Sequence, residues 1–156
     1  MPPSLLDDPP ATPEQEVEHL LRLYDRDAAK IMSELQAQLS ILASRAQTLL
    51  SLAGITITVT GFSGANIAKT GPLAATLLVA GLVLVLVAAA IAMNGILRVH
   101  WTTSLPPCEL HEAVRAAIDV RDVKTRRFDL ALRFLVVGLS LYVSSVALLL
   151  LGNLPR

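Results

Sequence analysis

Three side chains that can bind a metal, Cys108, His111 and Glu112, fall within one helical turn. Thiolate, imidazole and carboxylate are the donor set of a zinc site, but such a site takes a fourth protein ligand or a water held in a shaped cavity. His19 and His100 are remote in sequence, and no histidine pair has the helical spacing of a metalloprotease. Three donors at a helix start therefore read as solvated surface residues, and no metal or cofactor is expected. There is no glycine-rich phosphate loop, nucleophile motif or held pair of carboxylates, so enzyme activity is not expected either.

Two further groups have chemical potential. The segment from Arg121 to Asp129 carries Lys124, Arg126 and Arg127, which suit anionic headgroups or a phosphorylated ligand. Asp119, Asp122 and Asp129 are interleaved with them, which fits equally a topology signal with local ion pairs. The second group is a polar and small-residue face, Gln47, Ser51, Gly54, Thr58 and Gly61, at alternating spacings of four and three. On a helix these positions share one slowly winding stripe. It can pack helices, or line a narrow pore if several copies surround an axis. The same stripe extends back through Ser33, Ala37, Ser40 and Ser44 and forward to Ala65.

The elements that carry these groups are dictated by hydropathy. The chain has 156 residues, is 53% hydrophobic with 4% aromatics, and has a mean hydropathy of +0.58. The excess lies in three uncharged runs, 46–68, 70–97 and 134–155, each long enough to cross a bilayer core. Spans are expected at 46–68, 72–97 and 134–154. No charged residue lies inside them, which argues against a proton-coupled transporter.

Within the first span, the segment Ile55, Thr56, Ile57, Thr58, Val59, Thr60 alternates like a strand. A lone strand in hydrocarbon would leave its backbone groups unpaired, so the segment must be helical, with threonine hydroxyls bonded one turn back. The run from Gly61 to Gly64 is expected to weaken or end the helix, and Asn66, Lys69, Gly71 and Pro72 to complete a hairpin turn capped by Thr70. Small residues recur every seven positions in the second span, at Ala74, Gly81, Ala88 and Gly95, and in the third, at Ala131, Gly138, Ser145 and Gly152. Such stripes let helix backbones approach closely.

The sequence sets 13 basic against 13 acidic residues, so no net field draws in nucleic acid. Distribution is more informative. Arg22, Arg26, Lys30 and Arg45 precede the first span, and Arg98, Arg115, Arg121, Lys124, Arg126, Arg127 and Arg133 lie between the second and third. Only Lys69 and Arg156 lie on the opposite side. Basic flanks stay in the cytoplasm, so the expected topology has the N-terminus inside and the C-terminus outside, in a plasma or inner membrane. Arg98, His100 and Trp101 make an interfacial collar.

Residues 1–12 are proline-rich, lack an apolar period and read as a flexible tail that does not resemble a secretory signal. Thr12 and Pro13 make a helix start, and residues 13–45 are expected to form a helix continuous with the first span. Its seam, Val17, Leu21, Tyr24, Ala28, Ile31, Leu35, Gln38 and Leu42, keeps heptad spacing. That seam fits a coiled coil between protomers, or an amphipathic helix lying on the chain's own second cytoplasmic helix or on the membrane. After the break at Ser104, Pro106 and Pro107, a second cytoplasmic helix is expected at 107–133, running into the third span. Cys108, the sole cysteine, excludes an intrachain disulfide.

The expected protein is all-α and integral to the membrane, with three transmembrane helices and two cytoplasmic helical extensions. Its partners are the lipid bilayer and a second copy or another membrane protein. The expected role is a non-enzymatic oligomerising anchor, scaffold or accessory subunit; the alternative is a gated pore or membrane-perturbing effector using the polar face of the first span.

Overall fold

The computed structural model describes residues 11–69, 71–95 and 108–152. The side chains of 63–68 and 152 are not described. The proposed Thr70 cap, the Arg98, His100 and Trp101 collar, the Ser104, Pro106 and Pro107 break and most of the N-terminal tail fall outside these residues. Among the described residues the fold is all-helical: α1 (Pro13–Leu23), α2 (Ala28–Ala68), α3 (Pro72–Gly95) and α4 (Leu110–Gly152). Three of these, α2, α3 and α4, are long and apolar enough to cross a membrane. At 41 and 43 residues, α2 and α4 are each about 60 Å long, roughly twice a hydrocarbon core. The chain divides into two compact units, with boundaries inside α2, between Ser40 and Ile41, and inside α4, between Val123 and Lys124.

In the first unit, α1 begins with a capping box. The Gln15 amide donates to Thr12 Oγ1 at 3.4 Å, and the Thr12 amide donates to Gln15 Oε1 at 2.9 Å. Pro13 takes the first helical position, and Glu14 and Glu16 face the positive end of the helix dipole.

The uninterrupted helix expected over 13–45 is broken. The chain leaves α1 at Tyr24, and Asp25 and Arg26 adopt positive φ of 49° and 60°. The Arg26 amide reaches back to the Leu21 carbonyl at 2.9 Å, the long closing bond of a left-handed helix stop. Asp27 then caps α2, its Oδ1 accepting from the amides of Ala29 at 3.0 Å and Lys30 at 3.3 Å. The hydrogen bond from the Lys30 amide, followed by that from its ammonium, lowers the Asp27 pKa below its ordinary 3.8. The ionised cap therefore favours the fold above that ordinary value, and its contribution is lost as pH falls through the lowered one.

This corner resets the heptad. Val17 and Leu20 of α1 and Ile31 and Leu35 of α2 are buried in one cluster with Val114, Ala117 and Ile118 of α4. Leu21, Tyr24 and Met32 are only partly buried against it, and Ala28 is exposed. The seam is thus used within the chain, on its own second polar helix.

In the second unit, α2, α3 and α4 share a core of Ala46, Leu49, Ala53, Val85, Ala88, Ala92, Ala131 and Leu135. The strand-like alternation in α2 is helical: Thr56 Oγ1 donates to the Leu52 carbonyl at 2.9 Å and Thr60 Oγ1 to that of Thr56 at 2.7 Å. The helix also runs through Gly61 and Gly64 to Ala68, so the run expected to weaken or end the helix does not end it. Each glycine costs about 1 kcal/mol of helix propensity, which does not suffice to end a helix of this length.

A left-handed arginine is strained relative to glycine, by about 1 kcal/mol. Arg26→Gly is expected to stabilise the first unit by about 0.5–1 kcal/mol. A denaturant melt followed by circular dichroism checks this; an unchanged or lower midpoint would mean that the Arg26 side chain contributes more than its backbone loses.

Candidate functional site

The two units offer different chemistry. In the first, Arg121 of α4 is the hub of a partly buried polar network, its side chain 20% exposed. It grips Glu16 of α1 with both terminal nitrogens, Nη1 to Oε1 and Nη2 to Oε2, the latter at 2.9 Å. Nη2 and Nε also donate to Asp122 Oδ1 at 2.7 and 3.0 Å, and Nη1 to Gln38 Oε1 of α2 at 3.3 Å. Gln38 in turn donates to Glu34 at 3.2 Å. One guanidinium thus ties together three helices.

The Glu16 hydrogen bonds raise the Arg121 pKa, against burial, which lowers it, and Asp122 adds to the rise. Arg121 lies outside the apolar run that opens at Phe134. With a raised folded value, its contribution is fully present below its ordinary value and is lost only as pH rises through the raised one, so it is constant through the physiological range. A second cross-helix pair, Arg115 with Glu14 at 2.6 Å, is half exposed and correspondingly weak. In the sequence Arg121 is only one member of a charged run. Its partner is 105 positions away, and no local spacing announces it.

Beside this network, Glu14, Glu18, Leu21, Arg22, Asp25, Arg26 and His111 line an open cleft of about 700 Å³. Cys108 is exposed. Among the described residues no three His, Cys, Asp or Glu side chains come together as a metal site, so Cys108, His111 and Glu112 do not form one.

In the second unit the α3 and α4 stripes meet. Gly81 and Gly138 lie backbone to backbone: a Cβ on Gly81 would stand 2.7 Å from the Gly138 carbonyl oxygen, and one on Gly138 would stand 2.8 Å from that of Gly81. Seven residues along, the Ser145 hydroxyl donates to the Ala74 carbonyl at 2.8 Å, and seven the other way Ala88 and Ala131 share the core. Ala74, Gly81, Ala88 and Gly95 are all buried, as are Ala131, Gly138 and Ser145.

The α2 face lies differently. Its inward positions are Ala46, Leu49, Ala53, Thr56 and Thr60, while Gln47, Ser51, Gly54, Thr58 and Gly61 are exposed. Among the described residues a Cβ at Gly54 or Gly61 on this stripe would meet no atom within 4 Å. Ser51 and Thr58 hydroxyls donate to the carbonyls of Gln47 at 3.1 Å and Gly54 at 2.9 Å. Of the three basic candidates, Lys124 is half-buried, whereas Arg126 and Arg127 are exposed. The stem of Arg127 lies over Gly95, where a Cβ would stand 2.6 Å from its Cδ.

Compared with protein-family models, curated proteins and solved structures, the chain matches none.

Two outcomes check this reading of the packing. Arg121→Met leaves Glu16 and Gln38 facing each other without the donor and is expected to cost about 1–3 kcal/mol, between exposed and buried ion pairs. Adding Glu16→Leu should recover part of that loss in the same melt; no recovery would assign the effect to packing. In the second unit, Gly81→Ala forces two backbones apart and is expected to cost about 1–3 kcal/mol, while Gly54→Ala is neutral or slightly stabilising. Thermal unfolding in detergent compares the two, and equal losses would contradict the assigned crossing.

Proposed function

We propose that this chain is a non-enzymatic membrane module, an anchor, scaffold or accessory subunit that assembles with a second copy or with another membrane protein. The observation that carries the reading is the inversion of its second unit. Small residues predominate inside, beside Leu49, Leu78, Val85 and Leu135, while Leu52, Ile55, Phe62, Leu73, Val79, Val83, Val136, Val143 and Leu150 are exposed. In water so much exposed apolar surface would drive aggregation, whereas in lipid it is the solvated state. The basic flanks favour an N-terminus in the cytoplasm and a C-terminus outside, in a plasma or inner membrane.

The outer α2 face supports assembly. Gln47, Gly54 and Gly61 repeat every seven residues, as do Ala74, Gly81 and Ala88 at the α3–α4 crossing. The same device is engaged between α3 and α4 and left open on α2. A pore is the second reading, favoured by the exposure of Ser51 and Thr58 on that face. Their hydroxyl protons are held by the helix's own carbonyls, so only oxygen lone pairs would face a conducting path.

One experiment separates these readings. Carbonate-resistant membranes containing the chain should yield a defined oligomer by mass in nanodiscs, reduced to monomer by Gly54→Leu, with no ion flux in liposomes. Flux that disappears in Thr58→Leu would replace the scaffold with the pore. A carbonate-soluble chain would remove the membrane reading altogether.

A further inference from the structure

The basic residues of the second unit are not equivalent. Arg127 is committed along Gly95 and Lys124 is half-buried. Arg126 and Arg133 are exposed and, among the described residues, have no ion-pair partner, although Glu14, Glu16, Glu18, Asp27 and Asp122 each hold a base. They are seven positions apart on α4 and so lie on one stripe. Asp129 sits between them on that stripe and pairs with neither. The three together carry a net positive charge.

Directly beyond Arg133 on the same helix, Val136, Leu139, Ser140 and Val143 line a shallow, almost wholly apolar groove of about 430 Å³. From Arg133 to Val143 the helix rises roughly 15 Å, about the depth of one leaflet's hydrocarbon. A cationic stripe that opens into an apolar groove one leaflet deep has the two halves of a lipid site, in the right order.

We propose that Arg126, Arg133 and this groove bind one anionic phospholipid of the cytoplasmic leaflet, its phosphate on the two guanidiniums and an acyl chain along Val136, Ser140 and Val143. The site rests on the membrane reading above. Guanidinium groups hold phosphate oxygens in a matched fork, and a headgroup without its own cation adds no repulsion. A free phosphate would satisfy the arginines but leave the groove unfilled, so the chemistry favours a lipid. Asp129 tempers the field and makes both arginines necessary.

The test is native mass spectrometry of the full chain released from detergent containing equimolar phosphatidylglycerol and phosphatidylcholine. Wild type should retain phosphatidylglycerol preferentially, with the preference falling about fivefold for each arginine replaced in Arg126→Gln and Arg133→Gln. Asp129→Asn should raise it. Ser140→Trp, which fills the groove, should lower retention of both lipids while the chain remains helical. Equal retention of the two lipids by wild type, an unchanged preference in the double arginine variant, or displacement by millimolar inorganic phosphate would overturn the proposal. Carbonate extraction separates the two readings: a resistant chain without lipid preference removes only this site, and a soluble chain removes the membrane reading and the site together.

Discussion

The contact on which the apolar unit depends is the meeting of two backbones at Gly81 and Gly138. Between membrane helices there is no hydrophobic driving force, because lipid tails are as apolar as leucine. Cohesion has to come from close dispersion contact and from the few polar groups that reach across. At this crossing each glycine faces the other's carbonyl so closely that a methyl group has no room. The Ser145 hydroxyl then pins the same two helices to a fixed register at Ala74. The third helix joins through Ala46, Leu49 and Ala53, again small residues with one leucine among them.

The polar unit is held by the opposite physics. Its core is built from branched residues, Val17, Ile31, Val114 and Ile118, whose burial removes apolar area from water. Over that core Arg121 joins three helices through one planar group, which fixes their register by geometry more than by energy. The same 156 residues therefore hold two kinds of interior, one of large side chains with charges outside, the other of small side chains with large apolar ones outside.

Much of this was legible in sequence because both interiors write periodic patterns. Ala74, Gly81, Ala88 and Gly95 of α3 and Ala131, Gly138 and Ser145 of α4 are buried where their period placed them, and Ile31 and Leu35 occupy the seam that their spacing announced. The corner at Asp25 and Arg26 was not legible. Helix stops are advertised by glycine or proline, and here the left-handed positions hold an aspartate and an arginine. The α2 stripe was legible as a stripe but not as a side: sequence gives the angular spacing of positions, and only the packing of α3 and α4 shows that Ala46, Leu49 and Ala53 turn inward. The Arg121 network was invisible for a related reason, since a guanidinium selects its carboxylate through the fold.

The cluster that buries Val17 and Ile31 against Val114 and Ile118 also sets a timetable for biosynthesis. Glu16 and Arg121 are 105 positions apart, and the long apolar helices α2 and α3 are translated between them. At roughly 5–20 residues per second, the ribosome takes about 5–20 seconds to deliver the partner of the first helix. Throughout that interval the nascent N-terminal segment displays an apolar stripe that its own chain cannot yet cover. The core of the first unit is therefore completed only after α2 and α3 have been made.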